Sequence, residues 1–468
     1  MSYILPIGPY HPALEEPVHA RLYTEGEVIQ DAEVFVGYNH RGIEKLATER
    51  NAIQTLVLVE RVCGICSHSH AFTYAMAVEQ INQIEVPKRG AYLRVITAEL
   101  ERLHSHFLWL GIACHIIGHD SMFMHIWDER ELVMDLLEKL SGNRVNYAMV
   151  TIGGARRDVD DDLRREILDA CDKLKAPLDR IVEIALTDKT IAMRTKGVGV
   201  LTREDAVRLG ALGPHARASG VNIDVRKDSP YSCYEDFDFD VPVVDSGDVF
   251  ARVVVRALEC YESIKILRQA LENLPEGPIN LGTKLPKIKE GMAVTRHEAP
   301  RGQLTYMVVG DNALTNYRVI AHVPSYKNTP TVPHMLRGNS VADAGLIIAS
   351  IDPCFSCLDR LDARTGAYRR DHQHHQLPAG AGGLFQSPGD PPARGRILRR
   401  RAGLYPRILP HRRQGHRGGK GRAGHRAGQG LFPLPGLRLR RGDRAQKRLL
   451  PRVRQHGRAP HRRERLLC

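Results

Sequence analysis

Four cysteines in two matched pairs carry the first chemistry that the sequence offers. Cys63 and Cys66 stand in Arg61-Val62-Cys63-Gly64-Ile65-Cys66-Ser67-His68-Ser69-His70, with Gly64 between them to let the backbone turn tightly. Cys354 and Cys357 repeat the spacing in Asp352-Pro353-Cys354-Phe355-Ser356-Cys357. A C-x-x-C brings two thiolates within reach of one metal, and two such pairs make a four-thiolate site for a soft metal. One pair alone would read as a redox dithiol or half a zinc site. The pairs lie 291 positions apart, counted from Cys63 to Cys354. A zinc ribbon keeps its pairs much closer, so this site must clamp the two ends of a large domain around one centre.

R-x-C-G-I-C-x-x-x-H near the start, paired with D-P-C-x-x-C, resembles the large subunit of nickel–iron hydrogenases. Gly8-Pro9-Tyr10-His11-Pro12-Ala13, Gly37-Tyr38-Asn39-His40-Arg41-Gly42-Ile43-Glu44 and Glu298-Ala299-Pro300-Arg301-Gly302 look like its membrane-bound, energy-converting branch. That branch is related to the quinone-site subunit of respiratory complex I. The resemblance spans residues 3–360. It implies that Cys63 and Cys354 bind nickel terminally and that Cys66 and Cys357 bridge nickel to iron. The iron's other ligands would be carbon monoxide and cyanide. The competing reading of the four thiols is a zinc or iron–sulfur site.

The same resemblance assigns further side chains. Arg301 matches the arginine above the open coordination position, where a fixed guanidinium can bond a cyanide ligand and polarise hydrogen. Asp352 resembles a carboxylate near that site, or serves as a turn former or cap. His70 would tune a bridging sulfur by donating to it, or is a satisfied structural histidine. Protons must leave a buried site through a carboxylate. Glu16 fits that role in Ala13-Leu14-Glu15-Glu16-Pro17, with Glu15 as the adjacent registration. Glu44 resembles a magnesium-binding glutamate whose usual histidine partner is replaced here by Arg360. A guanidinium can pair Glu44 directly and take the cation's place.

The implied function is hydrogen interconversion with protons and electrons in a membrane-associated complex. Its implied partners are a 4Fe–4S small subunit, a ferredoxin or similar carrier, membrane antiporter-like subunits and a maturation protease. The location would be cytoplasmic, peripheral on the inner face of the cell membrane. The alternative is a metal-free quinone-site or structural subunit of a complex I-like NADH–quinone oxidoreductase. Such relatives lack the four cysteines.

The 468-residue chain has a formal charge of +13, but its two parts differ. Residues 361–468 hold 27 Lys and Arg against 5 Asp and Glu, a net of +22. Residues 1–360 hold 40 against 49, a net of −9. The basic total is therefore no sign of a nucleic-acid partner for the folded part, and none is expected. The segment 361–468 is rich in Arg, Gly, Pro and His, with almost no Lys. It offers too little apolar surface to offset its ordering entropy. It reads as an inert disordered tail, a basic arm, or the out-of-frame translation of GC-rich DNA; the last fits Arg without Lys best.

Nine cysteines are too few and too scattered for a disulfide scaffold. Cys114, Cys171, Cys233 and Cys260 read as small apolar core residues. The histidines at 104, 106, 115, 119 and 125 read as packing and hydrogen-bonding residues of helices. Met1-Ser2-Tyr3-Ile4-Leu5-Pro6 lacks the basic start and apolar run of a secretory leader. No segment is apolar for about 18 residues, so no membrane-spanning helix is expected.

The elements that must position these residues follow from periodicity. Residues 17–38 alternate polar and apolar around Gly26 and read as a hairpin, with Val18, Leu22, Val28 and Val34 packing. Helical spacing marks 41–58, 67–84, 89–117, 121–140, 160–186 and 247–274. Residues 295–309 read as a second hairpin turning at Pro300-Arg301-Gly302. The fold class is α+β, mainly α: a central bundle of long helices with small flanking β elements, the metal site lying between the N- and C-terminal C-x-x-C motifs. Residues 1–60 would form an α/β part, 61–290 the helical core and 291–360 the part that closes the site.

Overall fold

A computed structural model describes residues 2–12, 14, 16–282 and 287–359. The expectations for Glu15, Arg360 and 361–468 lie outside the described residues.

The long helices carry the mass of the fold. They are α4 (Lys88–Ile116), α5 (Asp120–Ser141), α6 (Asp161–Thr187) and α11 (Val249–Glu272). Shorter helices precede and separate them: α1 (Ile43–Thr48), α2 (Ala52–Glu60), α3 (Ser67–Asn82), α7 (Lys189–Thr195), α8 (Arg203–Leu209), α9 (Gly213–Arg217) and α10 (Val225–Asp228). Near the end come α12 (Pro324–Asn328), α13 (Val332–Leu336), α14 (Ala344–Ser350) and α15 (Phe355–Leu358).

Helix α6 shows the ordinary logic of a bundle edge. Asp160 caps it by accepting from the amide of Leu163, and Asp161 and Asp162 oppose the dipole in its first turn. Its buried residues, Ile167, Ala170, Cys171, Leu174, Leu178, Ile181 and Ala185, recur at helical spacing. Helix α4 differs, because it is buried on all sides from Gly90 to Phe107. A helix so placed is central to its fold. Its charged residues must then find partners inside.

Three antiparallel strands, β1 (Ser2–Ile7), β2 (His19–Glu25) and β3 (Val28–Phe35), form a sheet in the order β1-β2-β3. The short pair β4 (Val150–Thr151) and β5 (Gly154–Ala155) makes a second. A third runs β6-β7-β8, from β6 (Gly291–Ala299), β7 (Gly302–Gly310) and β8 (Arg318–His322). Strand β6 lies on α3, where Thr295 Oγ1 donates to the carbonyl of Thr73 at 2.8 Å.

The expected architecture of long helices with small flanking sheets is borne out. Details differ. The stretch 41–58 is two helices, because Asn51 and Gln54 form a reciprocal capping box that starts α2 afresh. Val28 is 43% exposed at the hairpin turn, and its neighbour Ile29 is buried instead. Strands β1 and β8 extend the two expected hairpins into three-stranded sheets. Among the described residues no helix is long and apolar enough to cross a membrane.

Candidate metal centre

The four expected cysteines meet. Cys63 sits in the loop after α2 and Cys66 caps α3; Cys354 caps α15 and Cys357 lies within it. Both pairs use one device. The Cys63 sulfur accepts the amides of Ile65 and Cys66 at 3.2 and 3.4 Å, and the Cys354 sulfur accepts that of Cys357 at 3.3 Å. Amides aimed at sulfur favour its ionised form.

Across the pairs, Cys63 and Cys354 approach to 3.5 Å and Cys66 and Cys357 to 3.6 Å, while Cys354 and Cys357 lie 2.9 Å apart. All four are free thiols and all are buried. Hydrogen bonds from Cys354, Cys357 and Cys66 hold Cys63 well below the usual thiol range. The other three are pushed up: Cys66 foremost by its bond with Cys354, Cys357 foremost by burial, and Cys354 by its bond with Cys63 and burial, although its bond with Cys357 works the other way.

This donor set fits a soft transition metal. The ligand atoms of Cys63, Cys66 and Cys357 lie within 4.8 Å of one another, and no carboxylate is among them. Thiolate donors select nickel, low-spin iron or zinc over hard cations. A small cavity is lined by Cys66 and Cys357 with Arg301, Ala299 and Ser325 among others.

Arg301 closes one side. Its Nε donates to the Asp352 carbonyl at 2.8 Å. Its Nη2 stands 2.8 Å from Asp352 Oδ1, an ion pair whose angle falls short of a hydrogen bond. Nη1 is buried with no partner, and Arg301 is among the residues that line the cavity. Burial opposes the charge, but Asp352 and the cysteines outweigh it and hold Arg301 well above its ordinary pKa. Asp352 itself takes a φ of 53°, the turn that delivers Pro353 and Cys354.

His70 lies one turn beyond Cys66, with Nε2 3.4 Å from the Cys357 sulfur and Nδ1 2.7 Å from the Tyr306 hydroxyl. Glu16 Oε2 accepts the amide of Ser356, between the C-terminal cysteines, at 2.9 Å. Burial raises its pKa against that bond. Glu44 is buried and Oε1 accepts the amide of Ala321 at 3.0 Å. Its expected pairing with Arg360 lies outside the described residues.

Three neighbours escape sequence reasoning. Tyr306 reaches His70 from β7, across 236 positions. Ser325 Oγ accepts the Cys354 amide at 3.0 Å. Glu101 of α4 accepts the amides of His68 and Ser69 at the start of α3, and burial raises it to about 8. None carries a local spacing signal. Of the expected packing histidines, His106 bonds Glu259 and His104 bonds Arg130, while His115 bonds Asp120 near the surface. Cys171, Cys233 and Cys260 are buried and Cys114 is half-buried.

The chain matches two family descriptions: "Respiratory-chain NADH dehydrogenase, 49 Kd subunit" over 117–289 and 280–360, and "Nickel-dependent hydrogenase" over 41–111. The carbon monoxide-induced hydrogenase of Rhodospirillum rubrum is 43% identical over 360 residues, covering 77% of this chain and 99% of that protein. An NADH-quinone oxidoreductase chain of Dehalococcoides mccartyi is 39% identical over 361 residues, covering 77% and 98%. Among solved structures, a chain of the membrane-bound sulfane sulfur reductase, an archaeal respiratory membrane complex, superposes with a TM-score of 0.74. It is 32% identical and covers 77% of this chain and 98% of its own. With a thiol cluster at its centre and relatives that match over about 360 residues, the chain belongs to the family that joins membrane-bound hydrogenase large subunits with the 49 kDa subunit of respiratory NADH dehydrogenase.

Proposed function

We propose that this chain is the catalytic large subunit of a nickel–iron hydrogenase, interconverting H2 with protons and electrons in a membrane-associated complex. The observation that carries the reading is the meeting of four buried, free thiols from C-x-x-C motifs 291 positions apart. Cys63 and Cys354 would hold nickel, and Cys66 and Cys357 would hold both the nickel and an iron carrying carbon monoxide and cyanide. When bound, such a centre supplies the redox chemistry of hydrogen cleavage and formation.

The chain's own residues do the rest. The buried shell excludes water from the sulfurs. Arg301, whose Nη1 is unpartnered, lines the cavity and is held in place by Asp352. His70 orients the Cys357 sulfur and is itself fixed by Tyr306. Glu16 holds a proton at its carboxyl, next to the C-terminal motif, and passes it outward. Electrons would go to a 4Fe–4S small subunit and from there to a ferredoxin or similar carrier. Membrane antiporter-like subunits would anchor the chain peripherally on the cytoplasmic face, in keeping with relatives that belong to membrane complexes.

A second reading draws on the match to the 49 Kd subunit over 117–360: a quinone-site subunit without metal. Nickel and iron analysis of the purified complex, with hydrogen–deuterium exchange on the same sample, separates the two. Stoichiometric nickel with exchange supports the hydrogenase. A metal-free, exchange-inactive complex that reduces quinone supports the alternative.

A further inference from the structure

Behind the turn that carries Arg301 lies a second set of buried charges that the hydrogen chemistry above does not use. Glu99 and Arg102 come from α4, Arg217 from α9, Asp224 and Arg226 from the start of α10, Glu259 from α11 and Glu298 from β6. Each is at most 1% exposed. They form one connected cluster, in which four carboxyl groups face three guanidinium groups. We propose that this cluster is a proton-binding site and that its proton resides on Glu298.

Within the hydrogen-bonded set the charges do not balance; Arg256 feels the charge of Glu259 but bonds the carbonyls of Arg252 and Ser350. A buried net charge is costly, so unequal numbers of acids and bases favour binding a proton. The nearby His106 does not take it. Its Nε2 donates to Glu259 Oε2 at 2.9 Å, and its Nδ1 has no partner, so a second ring proton would be buried without an acceptor. The excess therefore falls on a carboxyl group.

Geometry then chooses which. Glu99 accepts from Arg102 at 3.2 Å, Arg226 at 3.2 Å, Tyr234 at 2.7 Å and Ser263 at 2.7 Å. Asp224 takes two nitrogens of the Arg226 side chain, at 3.0 and 2.7 Å, and its amide at 2.9 Å. Glu259 accepts from Arg217 Nε at 2.9 Å and from His106. Glu298 has one guanidinium nitrogen, Arg217 Nη1 at 2.9 Å, and one amide, that of Val225 at 3.2 Å. It shares Arg217 with Glu259 and, at 3.6 Å, with Asp224. Glu298 is thus the least compensated of the four.

The titration agrees with this placement. Burial and the charge of Asp224 push Glu298 up to about 7, against Arg217, Arg226 and Arg102. Asp224 is held below its ordinary value by Arg226 and Arg217, despite its burial. The other groups near Glu298 carry no acid charge: Tyr231 accepts its amide, and burial keeps the adjacent His297 neutral. The remaining guanidinium of this region, Arg256 of α11, stacks on the Trp109 ring at 3.8 Å and bonds the Ser350 carbonyl.

The site is tied to the candidate centre by the backbone. Arg102 donates to the carbonyls of Glu298 and Ala299, just before Pro300 and Arg301. A proton on Glu298 therefore sets the charge behind the arginine that faces the thiols. It does so whatever the thiols bind.

The test is infrared difference spectroscopy on the purified full chain in its complex, titrated from pH about 5 to about 9, above the ordinary carboxyl range. The expected signal is a protonated-carboxyl carbonyl band, shifted in heavy water, whose loss has a component centred near pH 7. Glu298→Gln should lack that component and retain the one from Glu101. Asp224→Asn is the sharper arm. It leaves three acids facing three guanidiniums, so Glu298 should already be ionised at neutral pH and the component should vanish with Glu298 still present. A wild-type titration with no such band near neutrality overturns the proposal, whether or not the variants fold. So does a component centred near pH 7 that survives in Glu298→Gln.

Discussion

Arg301 and Asp352 hold each other through two contacts of 2.8 Å, one to the carboxylate and one to the carbonyl of the same residue. The pair fixes the guanidinium plane and leaves Nη1 buried without a partner, in a residue that lines the cavity with Cys66 and Cys357. A point charge on a flexible stem cannot reproduce that fork. Arg301→Lys should therefore keep the metal content and lose roughly 10²-fold in hydrogen turnover, the usual cost of a misplaced electrostatic donor. Activity per nickel atom is the measurement, and an unchanged value would remove Arg301 from the chemistry.

Cys354 approaches both Cys63 and Cys357. A serine hydroxyl is a poor soft ligand. Cys354→Ser should strongly reduce nickel in the purified complex, while Cys171→Ser, buried in the helical core, should leave nickel unchanged. Equal nickel in wild type and Cys354→Ser would sink the site assignment.

Glu16→Gln keeps the shape and can still accept the Ser356 amide. It cannot relay a proton. Both metals should remain while hydrogen–deuterium exchange slows. Exchange at the wild-type rate would move the proton route to another acid.

Glu101 gives a stability signature. Its folded pKa, raised by burial to about 8, exceeds the unfolded value of 4.5. The folded state then binds the extra proton, so this group's contribution is fully present below about pH 4.5 and is lost as pH rises through about 8. Glu101→Gln cannot ionise. Its unfolding free energy relative to wild type should climb across that window by a few kcal/mol at most, at about 1.4 kcal/mol per pH unit, and level off above it. Urea melts across the range read this directly, and a flat difference would contradict it.

Leu358 and Asp359 are each 4% exposed. Asp359 accepts the Asn39 amide with Oδ2, at 2.9 Å, and bonds His40 through its carbonyl. The family match stops one residue later, at 360. A chain carrying a further +22 of charge would have to leave from this buried point. The active protein is therefore expected to end at or near Arg360, through a maturation protease or a shifted reading frame. Intact mass of active, nickel-loaded complex decides this. The full 468-residue mass would make the basic segment part of the working protein.

The sequence was informative where signals are local or repeated. The two C-x-x-C motifs, the amphipathic stripe of α6 and the alternation of β2 and β7 each announce themselves within a few residues. What escaped has no such signature. The break between α1 and α2 depends on a single capping box at Asn51 and Gln54, inside an otherwise helical pattern. Strand β8 is five residues long and gains its order from β7. Tyr306 and Ser325 matter through distant partners. Helix α4 carries polar residues on buried faces, a pattern that periodicity reads as solvent-facing until the partners on α9, α10 and α11 are known.

The separation between the two cysteine pairs also sets a clock. Cys63 and Cys66 leave the ribosome early, but half of their site is encoded 291 residues later. At about 5–20 residues per second, the second pair follows roughly 15–60 s behind. Throughout that interval two thiols face the cell without their partners. Metal delivered then would find half a coordination sphere and nothing to close it. On the proposed function, loading would wait for the end of synthesis, and a factor that supplies the metal would meet a nearly finished chain.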